Sequence, residues 1–129
     1  MIRLSINAPC DPLTANQRLH HHARAELTRN WRLRTAILAR RLPNLPHAHV
    51  TYWIHATTNR RRDVANYYPT VKACLDGIVD AGVLVDDSDR YVVGPDPRPG
   101  EKRDDFTVVL QLDPACHCAE CAVRFDGAA

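Results

Sequence analysis

The residues of this chain best suited to chemistry lie between positions 63 and 87. The candidates are Asp63, Asp76, Asp86, Asp87 and Lys72. Carboxylates that converge from two elements can hold Mg²⁺, which prefers hard oxygen ligands and keeps several waters for phosphate chemistry. Such a metal polarises a phosphodiester and activates a water for in-line attack. The pattern is therefore compatible with an acidic metal site, and hydrolysis of a phosphodiester is one chemistry that such a site could perform.

A helix and a short return segment must position these residues. Apolar side chains at helical spacing predict a helix over residues 67–81, and the apolar run 83–85 predicts a short buried strand. Such a helix advances about 22 Å, and five extended residues return about 16 Å. Because neighbouring strand residues point to opposite faces, we expect only one of Asp86 and Asp87 to approach Asp63.

The rest of the chain predicts an α+β fold with a mixed sheet, in the order β-α-β-α-β-β-β. The helix 67–81 has Pro69 in its first turn and Gly82 at its C-terminal cap. The other predicted elements are a strand 2–6, a basic helix 21–41, a strand 50–57, a short strand 90–93, an exposed hairpin loop 94–104 and a strand 106–112. We expect one domain over residues 1–112 and a cysteine-containing tail over 113–129.

Charge is divided unequally between the two halves of the chain. Residues 1–62 carry eleven arginines against two acids, a net charge of +9, while residues 63–129 have a net charge of −7. A basic half indicates a polyanion-binding surface, and carboxylates beside such a surface repel phosphate unless a metal ion intervenes. The arginines expected to contact nucleic-acid phosphates are Arg24, Arg29, Arg32, Arg34, Arg60, Arg61 and Arg62.

Composition restricts the class of protein. A chain of 129 residues with 45% apolar residues fits one globular domain. It contains no run near the roughly 18 to 20 apolar residues of a membrane span, and its start does not resemble a signal peptide. Five cysteines, three of them in the last fourteen residues, indicate reduced thiols. We expect a soluble cytoplasmic protein with no membrane partner.

Two clusters of metal-binding residue types fall outside this pattern. Cys116, Cys118 and Cys121, with His117 among them, could offer three thiolates and an imidazole to Zn²⁺, but they lack the paired spacing of a zinc finger or ribbon. The alternative is a tail with free thiols. The run His20-His21-His22 is interpreted as solvated, because consecutive histidines on a helix cannot all face one metal.

Ordered motifs between residues 50 and 112 resemble the RusA family of Holliday junction resolvases. The motifs are Arg62-Asp63-x-x-Asn66, Lys72-Ala73-x-x-Asp76, Ala81-Gly82-Val83 and Asp86-Asp87-Ser88. The resemblance implies that Asp63 is the first family carboxylate, Asp87 the carboxylate after the second helix, and Lys72 the active-site lysine. It also implies a homodimer that nicks branched, four-way DNA in a Mg²⁺-dependent reaction, with Mn²⁺ as a substitute.

The chain departs from the family pattern at Ala65, where the better-known form has a second metal-binding aspartate. Either Asp76 or Asp86 completes the site, or metal binding is weakened. Asp76 lies four residues after Lys72, so the two could equally form an ordinary surface ion pair. Two alternative functions follow from these observations. One is a non-catalytic DNA-junction or duplex-binding protein with a degraded metal site, and the other is a small zinc-binding adaptor.

Overall fold

A computed structural model describes residues 1–114 as an α+β domain with one mixed four-stranded sheet and two helices, which confirms the predicted class. The elements are β1 Ile2–Asn7, α1 His21–Ala39, β2 Ala48–His55, a 3₁₀ turn Val64–Tyr67, α2 Tyr68–Asp80, β3 Val92–Pro99 and β4 Thr107–Pro114. Within residues 1–114, neither helix combines the length and the apolar character needed to cross a bilayer.

The sheet has the strand order β1-β4-β2-β3. β4 is antiparallel to both β1 and β2, whereas β3 is parallel to β2 at the edge. Paired positions form continuous apolar rows, such as Ile6, Val108 and Ile54, and these residues are at most 2% exposed. They join the buried residues of both helices in one core. The parallel β2–β3 pair needs a crossover, and α2 lies within it.

The two helices approach each other closely at Gly77 of α2. A Cβ added there would lie 2.4 Å from the backbone oxygen of Arg32 and 2.8 Å from Cβ of Thr35. Only glycine permits this approach without moving a helix. α1 is further held by Trp31, which is fully buried and donates from Nε1 to the backbone oxygen of Asp11 at 3.0 Å. The position of α2 is therefore set by tight packing.

The prediction of a strand at residues 83–85 is wrong. These residues form a turn after α2, in which the Val83 amide donates to Ile78 O at 3.2 Å and Val83 O accepts from the Leu45 amide at 2.7 Å. Val83 and Leu84 are buried, so the apolar run covers the core as a loop. Hydrophobicity over three residues cannot distinguish a buried turn from a buried strand.

The prediction of a hairpin loop at residues 94–104 is also wrong for its first half. β3 continues to Pro99 and includes Pro95 and Pro97. These prolines are tolerated because β3 is an edge strand, where a missing amide need not break a ladder bond. The order is therefore β-α-β-α-β-β, one strand fewer than predicted. The predicted strand 90–93 corresponds to β3, which begins two residues later and ends six residues later. The bounds of β1, α1, β2, α2 and β4 lie within two residues of those predicted.

Candidate functional site

Lys72 lies at the centre of a cluster with two aspartates. Its Nζ donates to Asp76 Oδ1 at 2.7 Å and also to Asp87 Oδ2. Asp76 is one helical turn away on α2, whereas Asp87 comes from the segment after α2, 15 residues along the chain. We refer to Lys72, Asp76 and Asp87 as the acid–lysine centre. The predicted Lys72–Asp76 ion pair is present, and a second carboxylate joins it.

Packing of α2 places the first two of these residues. Val71 and Leu75 are buried in the core at 0% and 2% exposure. Lys72 and Asp76 each follow one of these core residues, so their side chains lie half-buried at the border between core and solvent. The centre therefore rests on a rigid element.

A reversal after α2 brings Asp87 to the centre. Gly82 adopts a φ of +81°, the left-handed conformation that glycine accepts most readily at a helix end. The buried side chains of Val83 and Leu84 then hold the returning segment against the core. Asp87 reaches Lys72 with its side chain only 20% exposed, while the neighbouring Asp86 is exposed.

The charges of the centre stabilise one another. Burial acts to lower the pKa of Lys72, but its hydrogen bonds to Asp76 and Asp87 outweigh burial and raise the pKa to about 12. The hydrogen bond from Lys72 lowers the pKa of Asp87 below its ordinary value, against the opposing effect of burial. Lys72 is therefore a cation, and Asp87 an anion, throughout the neutral range.

Asp63 lies outside the acid–lysine centre. Its side chain accepts a hydrogen bond from the Ala65 amide at 3.0 Å and caps the 3₁₀ turn before α2. Its charge acts instead on Tyr52, whose pKa is raised first by burial and then by Asp63. Within residues 1–114, Asp63 makes no ion pair or hydrogen bond with Lys72 or Asp87.

Asp63 and Lys72 are separated along the chain by the 3₁₀ turn and the first residues of α2. These elements advance the chain by about 15 Å. No three carboxylates in the described part of the chain have oxygens within 4.8 Å of one another. The approach of Asp63 to Asp86 or Asp87 therefore stays a prediction.

A basic cleft of about 280 Å³ lies where β2 and β3 end. Its charged lining consists of Arg60, Arg61, Arg62, Lys102 and Glu101. The three arginines were candidates from the sequence, but Lys102 was not, because residues 94–104 were interpreted as an exposed loop. Only the parallel pairing of β3 with β2 brings Lys102 beside the arginines. We refer to this site as the arginine cleft.

A second basic surface runs along α1. Arg24, Arg29 and Arg32 line an open groove of about 620 Å³ together with His21. Arg32 also forms a bidentate ion pair with Asp80 of α2, so part of its charge is neutralised within the fold. The remaining candidate, Arg34, is exposed on α1 and does not line this groove.

The clusters of metal-binding residue types are only partly described. The ligand atoms of His20, His21 and His22 lie within 4.8 Å of one another, closer than predicted, because His20 precedes the helix as its N-cap. All three side chains are exposed. The predicted zinc ligands Cys116, Cys118 and Cys121 lie outside the described residues. Cys10 and Cys74 are free thiols.

No protein-family model matches the chain, and no curated protein matches it.

Proposed function

We propose that this protein is a Mg²⁺-dependent, structure-selective endodeoxyribonuclease of the RusA type that resolves four-way DNA junctions. The observation that carries the proposal is the contact between Lys72 and Asp87. The motifs single out these two residues, and the fold brings them together from separate segments. A lysine against paired carboxylates is an arrangement suited to phosphodiester chemistry.

The residues of the acid–lysine centre fit a divalent cation. Asp76 and Asp87 already direct carboxylate oxygens at one positive charge, the Lys72 ammonium. Mg²⁺ is commonly held by one or two carboxylates, with water and substrate phosphate completing its coordination. The metal, when bound, supplies Lewis-acid polarisation of the phosphodiester and a more acidic water. Asp76 and Asp87 would hold it, and Asp86, next to Asp87, is a further carboxylate within the same segment.

Lys72 has a distinct role in this proposal. With a pKa of about 12, its ammonium does not donate a proton at neutral pH. Its fixed positive charge instead stabilises the charge that develops on the scissile phosphate. To do so, Lys72 must share or release its two carboxylates when the metal and the substrate are present. Asp76 and Asp87 meanwhile orient the water that attacks phosphorus.

The proposed substrate and assembly follow from charge and symmetry. The arginine cleft and the α1 groove offer cations for the phosphates of branched DNA. A homodimer with two-fold symmetry would place one acid–lysine centre on each of two strands of a two-fold junction. We place this activity in the bacterial cytoplasm or in a phage-infected host cell, where recombining DNA is available.

A specific observation favours a second candidate, a junction-binding protein without catalysis. The Lys72 ammonium already binds both carboxylates of the centre. Asp63 accepts a hydrogen bond from the Ala65 amide instead, and the Ala65 side chain offers no carboxylate. An internal cation of this kind competes with a metal for the same oxygens. DNA binding through the arginines would then be the whole function.

Cleavage of a labelled four-way junction and a matched linear duplex tests the proposal. Wild type, Asp87→Asn, Asp63→Asn and the control Asp80→Asn are compared in Mg²⁺ and in EDTA. Symmetric Mg²⁺-dependent nicks in the junction, retained in Asp80→Asn and lost in Asp87→Asn, are expected. The Asp63→Asn rate shows whether Asp63 joins the site when DNA is bound. Tight binding without cleavage in any divalent metal would instead establish the binding-protein candidate.

A further inference from the structure

The arginine cleft is built from two segments whose backbones are tied together. One is the loop after β2, residues 58–64, and the other is the end of β3 with residues 100–102. The Gly100 amide donates to Ile54 O at 3.0 Å, and the Arg103 amide donates to Ala56 O at 2.9 Å. Both bonds lie beside the cleft, so its two walls are held at a fixed separation.

Side-chain contacts also hold the two walls of the cleft in place. His55 Nδ1 lies 2.8 Å from Glu101 O, and a Cβ added to Gly100 would lie 2.7 Å from the His55 ring. Glycine at this position therefore permits the close approach of the two segments. In the opposite wall, the Arg62 side chain donates to Thr58 Oγ1 at 2.7 Å, and this bond joins the two ends of the loop after β2. The cleft is thus a preorganised feature of the fold.

The charge inside the cleft is unbalanced. Four cations line it, Arg60, Arg61, Arg62 and Lys102, against the single carboxylate of Glu101. In the described part of the chain, none of these cations forms an ion pair with a carboxylate. Like charges held close together repel unless an anion compensates them. The cleft is therefore an anion site by both its charge and its preorganisation.

The lining also restricts the kind of anion. Apart from the charged residues, the cleft is lined by Ile54, Thr58, Asn59, Val64, Pro99 and Gly100. It contains no aromatic ring on which a base could stack, and stacking is a principal source of affinity for nucleotides and single strands. Its volume of about 280 Å³ lies at the lower limit for small-molecule pockets. A phosphate group fits these features better than a whole nucleotide does.

We propose that the arginine cleft is a phosphate site for the DNA backbone, in which Lys102 acts together with Arg61, and that it works without a metal. The choice of DNA as the source of the phosphate rests on the proposed function. Contacts of this kind position a duplex without reading its sequence. The cleft would therefore fix where DNA lies relative to the acid–lysine centre, and it would do so equally for any base sequence.

Fluorescence anisotropy with a labelled four-way junction in EDTA tests the proposal, because cleavage cannot contribute there. The variant Arg61→Gln with Lys102→Gln is compared with a matched control, Arg40→Gln with Arg41→Gln, which removes two exposed arginines from the end of α1. Arg62 is left intact because it closes its loop. We expect about tenfold or greater loss of affinity in the cleft variant and a salt dependence shallower by about two phosphate contacts.

Equal losses in the cleft variant and the control, with both folded by circular dichroism, would overturn the proposal. A competition experiment gives a second outcome that would overturn the proposal. In that outcome, inorganic phosphate or a nucleoside triphosphate would displace the junction from wild type more strongly than sodium chloride does at the same ionic strength. The cleft would then be a small-anion site. The proposed nuclease function fails separately. If the protein binds DNA through the cleft but never cleaves it, the nuclease proposal fails and the cleft proposal stands. If the protein cleaves the junction and the cleft variant binds it as wild type does, only the cleft proposal fails.

Discussion

The acid–lysine centre and the arginine cleft have excess charges of opposite sign. In the centre, one ammonium faces two carboxylates at the border of the core, on a helix fixed by close packing, and one negative charge stays uncompensated. In the cleft, four cations face one carboxylate between two exposed segments, without ion pairs among the described residues. The centre therefore has an excess of negative charge that suits a cation, whereas the cleft has an excess of positive charge that suits an anion. We infer that the cleft holds DNA and that the centre must rearrange to act on it.

The largest effect that we expect is on cleavage, when a carboxylate of the centre is removed and the cleft is left intact. Asp87→Asn removes a carboxylate from the centre, and we expect junction cleavage to fall by about 10³-fold or more, because metal polarisation contributes several kcal/mol. Junction affinity in EDTA should stay within about twofold of wild type, since the cleft is intact. Single-turnover cleavage and anisotropy on the same preparation measure both quantities. Equal loss of affinity and cleavage would remove the distinction between the two regions.

The next effect concerns the helix that carries the centre. Gly77→Ala places a Cβ against the backbone of α1 at Arg32, and we expect the free energy of unfolding to fall by about 2 kcal/mol or more through overpacking. Gly82→Ala is the matched control, because nothing lies within 4 Å of its Cβ and only its positive φ opposes the change. It should cost about 1 kcal/mol. Urea unfolding followed by circular dichroism gives both values, and an equal cost would contradict the packing argument.

The next prediction concerns removal of the Lys72 ammonium from the acid–lysine centre. Lys72→Met leaves Asp76 and Asp87 facing each other, and we expect the free energy of unfolding to fall by about 1 kcal/mol, a modest value because Lys72 is 42% exposed. Added Mg²⁺ should then stabilise the variant more than it stabilises wild type, since the ion replaces the lost ammonium. Thermal unfolding with and without Mg²⁺ measures this. Lys102→Met, in the cleft, should show no such Mg²⁺ effect, and an equal response in both variants would argue against a metal at the centre.

The smallest effect is the pH dependence of stability. Because the pKa of Asp87 is lower in the folded protein, its contribution is complete above about pH 4 and is lost as pH falls through the folded value. The pKa of Lys72 is raised, so its contribution is complete below about pH 10 and is lost as pH rises through about 12. Unfolding between pH 3 and 7 should show a steeper acid loss in wild type than in Asp87→Asn. Identical slopes would show that the pair does not stabilise the fold.

The part of the site carried by regular elements was predictable from the sequence. Apolar spacing, Pro69 and Gly82 located α2 to within one residue at each end, and the four-residue interval between Lys72 and Asp76 predicted their ion pair. Period-two alternation located β1, β2 and β4 because one face of each strand packs into the core. These signals are local, so a single sequence carries them.

The rest depends on contacts between distant segments. The three-residue run 83–85 gave no periodicity with which to separate a buried turn from a strand. The prolines of β3 indicated a loop because its place at the sheet edge, which tolerates them, is a property of topology. The 3₁₀ turn that Asp63 caps before α2 was a further feature that the sequence did not predict. Lys102 joined the arginines only through the β2–β3 pairing.

We propose that a divalent metal binds at the acid–lysine centre. Titration of Mn²⁺ into the isotope-labelled full chain, followed by amide NMR spectra, tests this directly. Paramagnetic broadening falls steeply with distance from the ion, so it locates the metal without reference to activity. We expect the amides of Lys72, Asp76 and Asp87 to broaden first, and we expect this broadening to be lost in Asp87→Asn but kept in Asp80→Asn. Broadening centred on His20–His22 or on residues 116–121, with the Lys72 signals unaffected, would contradict it.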